Sequence, residues 1–97
     1  MAEIATAIEE GGFDIVQADE EMIIVVEPEG STREDLIEFV DSIKGIIGGR
    51  YYGTGRGGSW TAWNLMSPDG VEFQAGFNSD AIFDKDTPDN SWFVRTV

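Results

Sequence analysis

The chain has 97 residues, of which 41% are hydrophobic and 11% aromatic, and it carries a formal net charge of −13. This size and composition predict a single globular domain and exclude an acidic disordered chain, which lacks the apolar residues that form a core. The absence of cysteine and histidine excludes disulfides and metal sites built from those residues, and it removes the usual catalytic base near neutral pH.

The N-terminal part of the chain predicts a helix followed by a β-hairpin. Residues 2–10 form the helix, with Ile4 and Ile8 one turn apart on a single face, and two glycines end it. Residues 13–17 and 22–26 are the two strands. The second is β-branched without interruption, which indicates a central strand covered on both faces.

A second helix is expected over about residues 32–47. Ser31 and Glu34 match the Ser-x-x-Glu capping box, in which the hydroxyl accepts from a backbone N–H and the carboxylate accepts from the capping residue. Apolar residues then recur at helical spacing and predict one buried face. Gly48 follows as a C-terminal stop, although Gly45 could fray the helix earlier.

The remaining sequence is typical of an antiparallel meander. Residues 50–54 are a short strand that leads into a glycine-rich loop, and residues 59–66, 71–77 and 91–97 are further strands. The predicted fold class is α+β. It is a small single domain over residues 1–97, in the order α-β-β-α-β-β-β with a further β at the end, and its capped helix packs on a largely antiparallel sheet.

Charge is strongly segregated along the chain. Residues 1–41 contain thirteen acids and one base, whereas residues 42–68 contain three bases and no acid. Four acids of the second helix form what we call the anionic ridge: Glu34, Asp35, Glu38 and Asp41. Such a ridge is usually a solvated helix face, but like charges one turn apart repel, and a ridge of this kind also suits a decoy for a basic groove.

The acid-free window suggests a second candidate surface. Its residues have the composition of interface hot spots; they are Arg50, Tyr51, Tyr52, Arg56 and Trp60. Strand alternation places some of the aromatic residues of this window in the core instead. Direct nucleic-acid binding is disfavoured, because three cations are few against the surrounding negative charge.

Two motifs suggest ligands but lack the context that the chemistry needs. Gly53, Gly55 and Gly58 match Gly-x-Gly-x-x-Gly, yet a strand follows where a dinucleotide site requires a helix. The glycine and arginine residues of 48–58 leave open an alternative function as an anion- or small-ligand-binding module or enzyme. Residues 84–90 contain four oxygen ligands without the glycine and glutamate of an EF-hand, so no metal or cofactor is predicted.

In size, charge and lack of cysteine the chain resembles small acidic inhibitors, namely nuclease immunity proteins and phage-encoded anti-defence proteins. No motif carries this resemblance, which is one of physical character over the whole chain. The predicted function is a non-enzymatic protein-binding module that inhibits a basic, nucleic-acid-handling protein or mimics nucleic acid toward it. A structural subunit that forms homo-oligomers, and acidity as adaptation to a salty cytoplasm, remain alternatives.

We expect a cytoplasmic protein with no membrane partner. The N-terminal segment lacks the basic start and the apolar run of a signal peptide. The longest strongly apolar run, Met22–Val26, is much shorter than the roughly 20 residues that cross a bilayer.

Overall fold

The computed structural model describes residues 1–57, 60–78 and 91–97, with the backbone alone described for 53–57, 60, 61 and 78. The elements follow one another as α1 (Ala2–Glu10), β1 (Ile15–Ala18), β2 (Met22–Val26), α2 (Arg33–Ile47), β3 (Arg50–Gly57), β4 (Trp60–Met66), β5 (Glu72–Asn78) and β6 (Ser91–Thr96). The predicted α+β class and element order are confirmed. None of the helices in the described part of the chain is long and apolar enough to cross a membrane.

The six strands form one antiparallel sheet in the order β1-β2-β6-β5-β4-β3. The β1–β2 hairpin occupies one edge. Helix α2 then carries the chain to the opposite edge, and β3, β4, β5 and β6 return strand by strand until β6 pairs with β2. The pairing of β6 with β2 thereby joins the N-terminal hairpin to the other strands in one open sheet.

Both helices pack on one face of the sheet. The main core joins Ile4 and Ile8 of α1 and four residues of α2 to alternate residues of the strands, including Leu65 and Trp92. Residues with period two on a strand share a face, so strand alternation explains why these positions are apolar. Because α2 packs on β5 and α1, one flank of α2 faces the β3–β4 edge and the other faces the β1 edge.

The opposite face of the sheet also contains a buried cluster. Ile24, Ala62 and Phe93 are fully buried there, and Met22 packs against them. Ile23 and Val25, on the helix side of β2, are fully buried as well. The prediction that this strand is covered on both faces is therefore confirmed.

The capping box of α2 differs from the predicted one by one residue. Thr32, not Ser31, is the N-cap, and Asp35, not Glu34, is the carboxylate that accepts from it. The backbone N–H of Thr32 donates to Asp35 Oδ2 at 2.8 Å, and the Asp35 N–H donates to Thr32 Oγ1 at 3.3 Å. Ser31 is excluded from this role because its backbone N–H closes a turn onto the carbonyl of Pro28.

The glycine-rich stretch also differs from the prediction. Strand β3 extends to Gly57 and pairs with β4 up to Gly57 opposite Trp60, with one irregularity between Tyr51 and Thr54. Glycine weakens a strand but does not prevent backbone pairing, so residues 55–57 are strand where a loop was expected, and the predicted strand over residues 50–54 is extended by them. Helix α2 continues through Gly45 and ends at a left-handed Gly48. The predicted oxygen-rich segment 84–90 lies outside the described residues.

Candidate functional site

The exposed side of α2 carries the anionic ridge. Glu34, Glu38 and Asp41 are separated by four and three residues and therefore share a face of the helix; all three are exposed. Within residues 1–57, 60–78 and 91–97, the side chains of Glu34 and Glu38 have no ion-pair or hydrogen-bond partner. No cation of the described chain is paired with either of them.

Asp35 has a structural role in addition to its charge. Its carboxylate accepts from the backbone and the hydroxyl of Thr32, which satisfies donors that the first turn of a helix leaves unpaired. A negative charge here also interacts favourably with the helix dipole. Asp35 therefore holds the start of the ridge in place.

One flank of α2 joins the ridge to the acid-free window. Tyr51 Oη donates a hydrogen bond to Asp41 Oδ1 at 3.1 Å, and Lys44 Nζ lies 5.6 Å from the centroid of the Tyr51 ring. Desolvation, followed by the hydrogen bond and negative charge of Asp41, raises the pKa of Tyr51 to about 12. Two sets of residues that the sequence suggested as separate surfaces therefore meet at this point.

The same flank holds a second cation against an aromatic ring. The guanidinium carbon of Arg33 lies 5.7 Å from the ring centroid of Trp63, a half-buried residue on the helix side of β4. Such cation–π contacts contribute about 0.5–1 kcal/mol at exposed sites. Arg33 and Lys44 are thus both directed toward the β3–β4 edge.

Arg50 and Tyr52 lie on the other face of the sheet. Arg50 pairs with Met66, and its Nη2 atom lies 3.8 Å from the methionine sulfur. Desolvation first, and then the nearby Glu72 carboxylate, raise the pKa of Tyr52. Strand alternation thus separates these two residues from Tyr51, so the predicted residues of the window do not form one surface.

Two further predicted site residues are described through their backbone. Arg56 pairs with Thr61, and Trp60 pairs with Gly57. Both therefore lie at the end of the β3–β4 ladder, away from the ridge in sequence and in strand register.

The opposite flank of α2 borders a cleft of about 480 Å³, a volume in the range of small-ligand sites. Its aromatic lining is a triad: Phe13, Phe39 and Trp92. The ring centroids lie 5.2 Å apart for Phe13–Phe39, 5.8 Å for Phe13–Trp92 and 5.3 Å for Phe39–Trp92. These are the tilted and edge-to-face separations that aromatic pairs prefer.

The rim of the cleft is acidic. Glu29, Asp35 and Glu38 line it, together with Ser31, Ser42 and the backbone around Gly30, and no lysine or arginine of the described chain is among the lining residues. Glu38 therefore belongs both to the anionic ridge and to the cleft. An apolar floor beneath carboxylates is suited to a group with an apolar stem and a positive end.

Two polar atoms of the lining residues are buried without a hydrogen bond to the described chain. They are Nε1 of Trp92, whose side chain is 1% exposed, and Oγ of Ser31. An unpaired buried donor costs about 1–3 kcal/mol. This cost is the reason to regard the cleft as more than a gap in packing.

Sequence reasoning missed the cleft. Its lining comes from four separate segments: the loop between α1 and β1, the turn after β2, helix α2, and β6. No local pattern joins them. The available signal was weak, since Phe13 and Trp92 lie in two separate predicted strands, residues 13–17 and 91–97.

The described residues contain no group of three or more acidic side chains arranged to hold a metal ion.

The chain matches no protein-family model, and no curated protein or solved structure is similar to it at a significant level.

Proposed function

We propose that the protein is a cytoplasmic, non-enzymatic binding module whose anionic ridge engages a basic protein partner of the kind that handles nucleic acid. The proposal depends above all on one observation: Glu34 and Glu38 are exposed, and have no partner in the described part of the chain, on a helix that is otherwise well anchored. Repulsion between acids one turn apart is relieved when a partner supplies cations. The resulting function is that of an inhibitor or a decoy.

The spacing of the ridge supports imitation of a phosphate row. A helix rises about 1.5 Å per residue, so Glu34 and Glu38 stand about 6 Å apart along its axis. The buried side of α2, with Phe39, Val40 and Ile43 in the core, fixes this spacing. A preorganised row of charges loses little conformational entropy on binding.

The local cations do not neutralise the ridge. Arg33 and Lys44 are held over aromatic rings toward the β3–β4 edge. Charge complementarity then acts mainly on association, where steering raises on-rates by about 10 to 1,000-fold at low salt.

Charge reversal tests this proposal. Glu34→Lys/Glu38→Lys changes the ridge, and Glu9→Lys/Glu10→Lys on α1 makes the same change in net charge elsewhere. Partners are captured from source lysate at low salt with each variant, identified, and measured in purified form by surface plasmon resonance. The ridge variant should lower the association rate about tenfold or more and flatten its salt dependence, while the α1 variant should change it much less.

Two results would contradict the proposal. If both variants slow association equally, net charge alone is responsible and the ridge has no specific role. If neither variant changes the rate for a captured partner, the partner uses another surface.

A further inference from the structure

We propose that the cleft beside α2 receives an arginine side chain of the basic partner, an inference that rests on the function proposed above. Its aliphatic stem and guanidinium plane would lie against Phe13, the accessible ring of the aromatic triad, and its positive charge would lie among the acids of the rim. The cleft thereby acts as an anchor next to the ridge, since Glu38 belongs to both.

The apolar part of the proposal depends on the triad. Phe39 and Trp92 are almost fully buried, whereas Phe13 is half-buried and remains accessible from the cleft. A guanidinium group is planar and weakly hydrated, and it stacks on aromatic rings more readily than an ammonium group does. Arginine is also among the residues most enriched at interface hot spots.

The polar part depends on the rim and on Trp92. The lining residues within the described chain include three carboxylates and no cation, which selects against an anionic occupant. Asp35 is engaged by Thr32, so Glu29 and Glu38 are the carboxylates left for the guanidinium. Trp92 Nε1 is a buried donor without an acceptor in the described chain, so the indole at the base of the cleft reports on any group that binds above it.

A neutral or apolar occupant accounts for less of this geometry. It would cover the triad, but it would also desolvate Glu29 and Glu38 without pairing them, which is unfavourable. A lone cation without a stem would leave the aromatic floor unused. Arginine combines the apolar stem and the positive charge in one side chain.

The test uses the whole protein labelled with ¹⁵N and the peptide acetyl-Gly-Arg-Gly-amide as the probe. The neutral control is the same peptide with citrulline, which keeps the length and planarity of arginine but not its charge. Chemical shifts are followed in a two-dimensional NMR titration, including the indole N–H signals of the three tryptophans after sequential assignment. The arginine peptide should shift the Trp92 indole signal saturably with a millimolar Kd. The citrulline peptide should bind at least about fivefold more weakly.

Variants identify the carboxylates. Glu29→Gln/Glu38→Gln should weaken the arginine peptide about fivefold and leave the citrulline peptide unchanged. Glu20→Gln/Glu21→Gln, in the β1–β2 turn away from the cleft, removes the same charge and should weaken binding less than twofold. Spectra of both variants without peptide show whether the fold is intact.

The proposal is overturned if the Trp92 signal does not saturate, if citrulline binds as well as arginine, or if the two double variants weaken binding equally. These outcomes are independent of the partner. If the peptide binds as expected but reversal of the ridge leaves the association of a captured partner unchanged, the cleft still binds arginine and only the proposed function of the ridge fails.

Discussion

Three glycines at the end of α2 occupy different environments, and replacing each by alanine should give three different changes in stability. Gly45 lies inside the helix, and a Cβ added there meets no atom within 4 Å. Alanine is favoured over glycine in a helix interior by about 0.5–1 kcal/mol. Gly45→Ala should therefore raise the free energy of unfolding by that amount.

Gly48 and Gly49 should behave in the opposite way. Gly48 has φ +64°, and the nearest atom to an added Cβ is Pro68 at 3.8 Å, so the cost comes from the left-handed backbone and is about 1–2 kcal/mol. At Gly49 the added Cβ would lie 2.6 Å from the carbonyl oxygen of Met66 and 2.9 Å from Ile47 Cδ1. The isoleucine can move, but the Met66 carbonyl belongs to β4, so overpacking should cost about 1–3 kcal/mol.

Urea unfolding followed by tryptophan fluorescence measures these differences. A domain of this size has an m-value of about 1–2 kcal/mol per molar urea, so Gly49→Ala should lower the midpoint by roughly 0.5–3 M, and Gly45→Ala should raise it by about 0.5 M. Gly48→Asn serves as a control, because asparagine tolerates the left-handed region and should cost less than alanine. If Gly49→Ala unfolded at the midpoint of the unmodified protein, the close contact between the end of α2 and β4 would be wrong.

Two further predictions concern the cap and the ridge. Thr32→Ala should lower the free energy of unfolding by about 1 kcal/mol, whereas Ser31→Ala removes an unpaired buried hydroxyl and should be neutral or stabilising. If urea unfolding showed that only Ser31→Ala lowers the free energy of unfolding, Ser31 would be the N-cap, as predicted from the sequence. The Tyr51 phenol should ionise near pH 12 in ultraviolet titration, and Asp41→Asn should move that transition toward 10. Because the pKa of Tyr51 is higher in the folded state, the stability that this group contributes is complete below pH 10 and falls as the pH rises toward 12. Since Tyr51 is 37% exposed, the loss should be under about 1 kcal/mol, and Tyr51→Phe should not show this loss. A transition near pH 10 in the unmodified protein would contradict the hydrogen bond.

Local patterns in the sequence were sufficient for the order of the helices and strands and for most of their bounds. The continuous β-branched run of β2 and the alternation of Phe73, Ala75 and Phe77 depend on short-range periodicity, which survives in the fold. The cap of α2 was shifted by one residue because Ser31–Glu34 and Thr32–Asp35 both satisfy the same pattern. Only the turn after β2, which engages the Ser31 backbone, distinguishes them.

Longer-range features could not be predicted in the same way. Glycine at alternate positions suggested a loop after residue 54, but β4 supplies the backbone partners that keep residues 55–57 in a strand. The hydrogen bond between Asp41 and Tyr51 depends on which turn of α2 lies above which strand. Periodicity gives the face of a helix but not its position over a sheet, so the meeting of the ridge and the acid-free window required the tertiary structure.

The two flanks of helix α2 differ in charge. Its β3–β4 flank carries Arg33 and Lys44, each held by an aromatic ring, and its other flank borders a cleft whose described lining has carboxylates and no cation. The cations therefore weaken the negative potential of the ridge on the β3–β4 flank, and the carboxylates of the cleft strengthen it on the other flank. A basic partner should therefore approach from the cleft side, where Glu38 belongs to both the anionic ridge and the cleft. Neutralising Arg33 and Lys44 would make the protein more negative overall, but it should weaken the preference of the partner for the cleft side. Association that becomes faster but less oriented would show that the arrangement of the charges, and not only the net charge, directs the partner.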